Sequence, residues 1–175
     1  MEQRIIIGKG AFEGNFVKLS QNYDYLQAKA EPYAEDILAH DNFLSMQNYY
    51  QHGSVSTWQH VLRVAYFALE INKKLHLHCN RRDLVRGALL HDYFLYDWHD
   101  HAAELNEHPK LHGFYHPTIA LKNAKKDFDL TALECEIIYK HMWPLTLTHV
   151  PTKREAWVVS MADKWASFYE TVFCR

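Results

Sequence analysis

The His91-Asp92 pair closes a mostly apolar stretch that runs from Leu84 to Leu90, and it is the feature of the chain best suited to chemistry. Burying an imidazole beside a carboxylate is costly unless something compensates both groups. A divalent metal ion does this, because it accepts nitrogen and oxygen ligands together. The pair therefore predicts a metal site.

Three more histidines and one more aspartate occur on similarly apolar segments: His60, His116, His141 and Asp163. With the pair they give the order His, His-Asp, His, His, Asp, at intervals of 22 to 31 residues, which suits one helix and one connection each. Asp92 is the natural bridge between two metal ions, because a carboxylate has two oxygens. A set of four imidazoles and two carboxylates favours Fe or Mn, with Zn, Ni or Mg possible.

Helical periodicity dominates the elements that must position these residues, and strand signals are almost absent, so we predict an all-α fold. The first ligand-bearing helix should run from Thr57 to about Lys74. Asn80 or Asp83 should cap the next one.

A third ligand-bearing helix is predicted from His116 to about Lys126, because Pro117 is a favoured first helical residue. Residues 96–115 then form a long loop beside the site, and long loops in compact domains are often functional lids.

Two further helix starts are predicted from capping boxes, in which a threonine precedes a glutamate by three residues. They are Thr131 with Glu134 and Thr152 with Glu155. Residues 1–50 are interpreted as an irregular arm followed by two or three accessory helices.

The ordered residues resemble the HD-domain superfamily of metal-dependent phosphohydrolases over roughly residues 51–170. The resemblance rests on His60-Val61-Leu62-Arg63-Val64-Ala65, Ala88-Leu89-Leu90-His91-Asp92 and Met161-Ala162-Asp163-Lys164. His116 and His141 add the pattern of the two-metal branch. The resemblance implies one compact HD-type helical bundle, residues 1–175, in which 51–170 form the metal-binding core.

Roles for individual residues follow from this resemblance. The first metal would be held by His60, His91, Asp92 and Asp163. The second would be held by His116 and His141, with Asp92 bridging as the central catalytic residue. Arg63 and Lys164 would contact a substrate phosphate.

The implied activity is hydrolysis of a small phosphate ester or nucleotide by a metal-activated water. Mixed-valent di-iron oxygenases are similar to the HD fold and use the same ligand order, so an oxygenase is the first alternative. A non-catalytic metal-binding regulatory module is the second. His112 rivals His116 as a ligand, and His52 could line the site entrance.

The composition of the chain indicates which ligands and which cellular compartment to expect. The chain has 175 residues, a formal net charge of −2 and no basic run, which disfavours a nucleic acid polymer as ligand. Its first residues hold only a short apolar run, so we expect no membrane span and a cytoplasmic protein. Three cysteines without a Cys-x-x-Cys pair predict reduced thiols. The oligomeric state stays open.

Overall fold

The computed structural model describes residues 21–52, 54–96 and 112–174. The helices in these ranges are α1 (Tyr23–Leu38), α2 (Asp41–Ser45), α3 (Thr57–Lys74), α4 (Arg81–Leu90), α5 (His112–Asp127), α6 (Ala132–Lys140) and α7 (Arg154–Phe173). A 3-10 turn (Met46–Asn48) precedes two short antiparallel strands, β1 (Tyr50–His52) and β2 (Val55–Ser56). The predicted all-α helical bundle is confirmed, with this small hairpin as its addition.

Helix α3 lies at the centre of the bundle and packs against α1, α4 and α7. The Ser56 hydroxyl accepts a hydrogen bond from the Gln59 backbone, and the Gln59 side chain accepts one from the Ser56 backbone. This capping box fixes the start of α3, and the helix has the predicted bounds. Val61 and Val64, on its apolar face, are fully buried in the core.

Helices α4 and α6 approach each other closely at Gly87. A Cβ atom at this position would lie 2.7 Å from the Ile137 side chain, so a larger residue would force the two helices apart. Each helix is held at its start as predicted, α4 by the Asn80 side chain and α6 by the capping box of Thr131 and Glu134. The close packing brings the ends of the two helices side by side, which matters for the site.

Helix α5 begins at His112, one turn before the predicted start at His116. Pro117 therefore lies inside the helix and does not open it. The early turn packs tightly against the segment after α6, because a Cβ at Gly113 would lie 2.8 Å from the Leu145 side chain. Tertiary packing thus extends the helix across the proline. The prediction of a loop at 96–115 is wrong for its last residues, and its residues 97–111 lie outside the described ranges.

The second predicted capping box, at Thr152, is also wrong. The Thr152 backbone and hydroxyl both donate to Glu136, at 2.7 and 2.6 Å, and the N-cap of α7 is Lys153, whose side chain makes no capping hydrogen bond. Glu155 instead accepts a hydrogen bond from the Asn80 backbone at 2.9 Å. Thr152 and Glu155 are therefore hydrogen-bonded to residues from elsewhere in the fold and not to each other.

None of the helices in the described ranges combines the length and apolar character needed to cross a membrane.

Candidate metal centre

The six predicted ligands all reach one buried region between the helices. His60 lies in the first turn of α3, while His91 and Asp92 directly follow α4. His116 is on α5, His141 directly follows α6, and Asp163 is at the middle of α7. All six side chains are buried. The convergence expected from their spacing is therefore present in the structure.

The Asp92 carboxylate lies between two groups of imidazoles. One oxygen, Oδ2, is 3.4 Å from His91 Nε2 and 3.8 Å from His60 Nε2. The other, Oδ1, is 3.1 Å from His116 Nε2 and 3.5 Å from His141 Nε2. Each oxygen thus faces a different pair of rings, which is the placement that a bridging carboxylate requires.

Asp163 adds a second carboxylate to one side of this arrangement. Its Oδ1 lies 3.2 Å from His60 Nε2 and 3.8 Å from His91 Nε2. Two trios each offer three donor atoms within 4.8 Å of one another: His60, His91 and Asp163, and His91, Asp92 and His141. The donors are nitrogens and carboxylate oxygens, the set that suits a divalent transition metal.

Hydrogen bonds on the outer edges of the rings hold the Nε2 atoms inward. His91 Nδ1 lies 2.7 Å from the Ala88 carbonyl, and His141 Nδ1 lies 2.8 Å from the Ile138 carbonyl. A carbonyl can only accept, so each Nδ1 carries a proton, and in the neutral ring Nε2 presents its lone pair to the site. His91 Nε2 is buried and receives no hydrogen bond in the described part of the chain. Such an atom fits a metal ligand.

The electrostatics of the site also match a cation. Burial raises the pKa of Asp92, but the imidazoles of His91, His116 and His141 more than offset this and hold it well below its usual range. The pKa of Asp163 is likewise lowered, by His60 and His91 against the effect of burial. Burial and the neighbouring imidazoles lower the pKa of His141 to about 3, so this ring is neutral. Ionised carboxylates and a neutral imidazole are the ligand forms that bind metal. Burial lowers the pKa of His60 and His91, but the neighbouring carboxylates outweigh it and raise both, so a metal ion binding there displaces protons.

The two predicted substrate contacts lie in different places. Lys164 is part exposed at the edge of the site, where its Nζ donates to the His141 carbonyl at 2.8 Å and lies 3.5 Å from Asp163 Oδ2. Arg63 is not brought to that edge. Its side chain is fully buried and its guanidinium donates to Glu170 and to the Tyr23 hydroxyl. Full burial and the described contacts with Glu170 and Tyr23 give no support to a phosphate contact for Arg63.

Glu170 is the residue of this region that the sequence analysis missed. It is buried on α7, and its Oε2 lies 2.9 Å from His60 Nδ1. The signal was present, because Glu170 follows Asp163 by two helical turns and continues the stripe of Val159, Asp163 and Ala166. The side chains of His52 and His112, the two alternative site histidines, lie outside the described part of the structure.

Comparison with known proteins adds the family. The family model described as the HD domain matches residues 57–167, which include all six converging residues. No curated protein and no solved structure matches the chain.

Proposed function

The chain belongs to the HD-domain family, and we propose that it is a metal-dependent phosphohydrolase that acts on a small phosphate ester or nucleotide. The family consists in general of metal-dependent hydrolases. The single observation that carries the proposal is the Asp92 carboxylate, whose two oxygens face two separate pairs of buried imidazole nitrogens. That arrangement supports the proposal of two metal ions with Asp92 between them.

The residues fit the metals in the following way. His60, His91, Asp92 and Asp163 would hold the first ion. His116 and His141, with Asp92, would hold the second. Divalent metals at such a site polarise a phosphoryl oxygen and lower the pKa of water toward neutrality. Fe and Mn are the proposed metals, because imidazole and carboxylate are both well represented among the donors.

The protein's own contribution is to place and neutralise charge. Asp92 and Asp163 are ionised and buried, so their negative charge lies between the helices, where the proposed metal ions would bind. Lys164 is the described cation at the edge of the site, with its side chain 42% exposed beside Asp163. We propose that its ammonium helps to hold the substrate phosphate, whereas the fully buried Arg63 does not touch it.

The test is metal analysis of the purified protein, followed by phosphomonoester and phosphodiester assays of the metal-free protein with Mn or Fe(II) restored. We expect phosphate release to continue without oxygen, because hydrolysis consumes none. Oxygen uptake with a phosphonate or polyol, without turnover of any phosphate ester, would favour the oxygenase. Metal binding without either activity would favour a regulatory module.

Asp92→Ala is the matching variant. We expect it to abolish hydrolysis and to release most of the bound metal, because it removes the bridge between the two groups of imidazoles. The control is His76→Asn, since His76 is exposed outside the site and its φ of 50° is one that asparagine tolerates. Equal metal content in the wild type and Asp92→Ala would rule out the ligand assignment.

A further inference from the structure

A buried carboxylate lies behind His60, on the edge of the ring that faces away from the other candidate ligands. Glu170 Oε2 is 2.9 Å from His60 Nδ1, while His60 Nε2 is 3.2 Å from Asp163 Oδ1. Glu170 and Asp163 are both on α7, so one helix holds the imidazole at both of its nitrogens. His60 and Glu170 are both almost fully buried, at 0% and 2% exposure.

Glu170 is itself held from behind. Its second oxygen, Oε1, accepts a hydrogen bond from Arg63 Nη1, and Arg63 Nη2 donates to the Tyr23 hydroxyl at 2.6 Å. The guanidinium also lies over the rings of Tyr23 and Tyr169, at 5.6 and 5.5 Å from their centroids. The chain of contacts therefore runs from α1 through α3 to α7 and ends at the His60 ring.

The position of His60 explains why a side chain is needed here. His91 and His141 directly follow their helices, where the last carbonyls have no partner within the helix and can accept from Nδ1. His60 lies in the first turn of α3, where the nearby carbonyls accept from the next turn of the helix. Its Nδ1 must find an acceptor outside the helix, and Glu170 supplies it.

We propose that Glu170, fixed by Arg63 and Tyr23, is a positioning residue that orients His60 for metal binding. It accepts the Nδ1 proton, selects the ring form with the lone pair on Nε2, and aims that lone pair at the region shared with Asp163. This rests on the proposed metal site, and it assigns Arg63 to the support of that site and not to substrate. Carboxylates that hold a ligand histidine in this way also raise its basicity as a ligand.

The test compares metal affinity in two matched variants. Glu170→Gln and Glu134→Gln each remove the charge of a buried glutamate that is paired with a buried arginine, but Glu134 contacts no candidate ligand among the described residues. Mn²⁺ is titrated into each metal-free protein, and the free ion is followed by electron paramagnetic resonance. We expect Glu170→Gln to raise the Kd of the binding event that uses His60 by about 10–100-fold. Glu134→Gln should leave it unchanged.

Thermal melting of the metal-free proteins separates positioning from folding. Arg63→Lys is the second variant, because it keeps the charge but loses the planar fork that reaches both Glu170 and Tyr23; we expect a several-fold rise in Kd. Folded Glu170→Gln and Arg63→Lys proteins that bind Mn²⁺ like the wild type would overturn the inference. An equal loss of affinity in Glu134→Gln would overturn it too, because the effect would then come from general destabilisation.

These results are distinct from those that decide the proposed function. A wild type that binds metal but releases no phosphate removes the hydrolase proposal and leaves the Kd comparison intact. A wild type that binds no Mn²⁺, Fe(II) or Zn²⁺ overturns both.

Discussion

Two buried arginine–glutamate pairs connect the helices of this protein, and they are alike in their burial and in joining one helix to another. Arg63 pairs with Glu170 between α3 and α7, and Arg86 pairs with Glu134 between α4 and α6. All four side chains are 2% exposed or less. In each pair α1 supplies a further partner to the arginine, Tyr23 to Arg63 and Asp36 to Arg86.

Glu134 has a second arginine, Arg82, at 3.5 Å, but the difference that bears on the site is what the second glutamate oxygen contacts. Glu170 uses it to accept from the imidazole of His60, a candidate ligand. Glu134 uses it to accept from the Thr131 backbone at 2.9 Å, within the capping box that starts α6. The comparison teaches that burial and pairing do not identify a functional carboxylate, because both pairs have them. The contact beyond the pair does.

The largest expected effect tests whether the two pairs contribute equally to the stability of the fold. Arg63→Met leaves the buried Glu170 without its arginine, and Arg86→Met leaves the buried Glu134 with only the exposed Arg82, at 3.5 Å. Removing one partner of a buried ion pair typically costs about 3–5 kcal/mol. For a chain of this size that corresponds to a fall in Tm of roughly 6–20 °C. Urea unfolding of the two metal-free variants measures the loss of free energy, and thermal melting measures the fall in Tm. A small loss for one variant and a large loss for the other would break the structural equivalence.

Only part of the site and of its supporting contacts could be predicted from the sequence. The convergence of the six residues was predictable, because ligand-type side chains recur on apolar helical stripes at regular intervals; their role as ligands stays a prediction. Glu170 lies on the same helical stripe as Asp163, but its contact with Arg63, and that of Tyr23 with Arg63, were not predictable, because no recurring residue pattern links these side chains. The partners of Arg63 depend on how α1 and α7 pack against α3.

The same limit applies to the ends of the helices. Asn80 and Thr131 act locally, within one turn, and both caps were predicted. Thr152 has the same local pattern, but Glu136 from another helix takes its hydrogen bonds. Pro117 likewise gave a wrong start for α5, because packing at Gly113 extends that helix. Local signals fail where a tertiary partner competes for the same groups.

Removal of metal is expected to have a smaller effect, and it sharpens the comparison. Binding to the native state adds stability by mass action, so chelation should lower the Tm of the wild type by several degrees, about 1–2 kcal/mol. Glu134→Gln should show the same drop from its own starting point. Glu170→Gln should show a smaller one, because weaker binding adds less. Differential scanning calorimetry with and without chelator measures this, and equal drops in all three would count against a special role for Glu170.

The smallest expected effect concerns pH and the partner that α1 supplies to Arg86. Asp36 Oδ1 lies 2.5 Å from Arg86 Nη1, with its side chain 58% exposed. Partial burial raises the pKa of Asp36, but the hydrogen bond and charge of Arg86 outweigh this, so the pKa lies below its ordinary value of 3.8. A lowered carboxyl pKa stabilises the fold above the unfolded value, and this contribution is lost as pH falls through the folded value.

Asp36→Asn therefore tests the exposed partner of Arg86 in the Arg86–Glu134 pair, which contacts no candidate ligand among the described residues. Wild type should lose a small increment of stability below about pH 4, no more than about 1 kcal/mol for so exposed a pair. Asp36→Asn should lack this increment at neutral pH and show a correspondingly flatter decline in acid, with Mn²⁺ affinity unchanged at neutral pH. Unfolding curves from pH 3 to 7 measure the first, and the Mn²⁺ titration measures the second. A shift in metal affinity would mean that the Arg86 pair communicates with the site after all, through α4 and the adjoining His91.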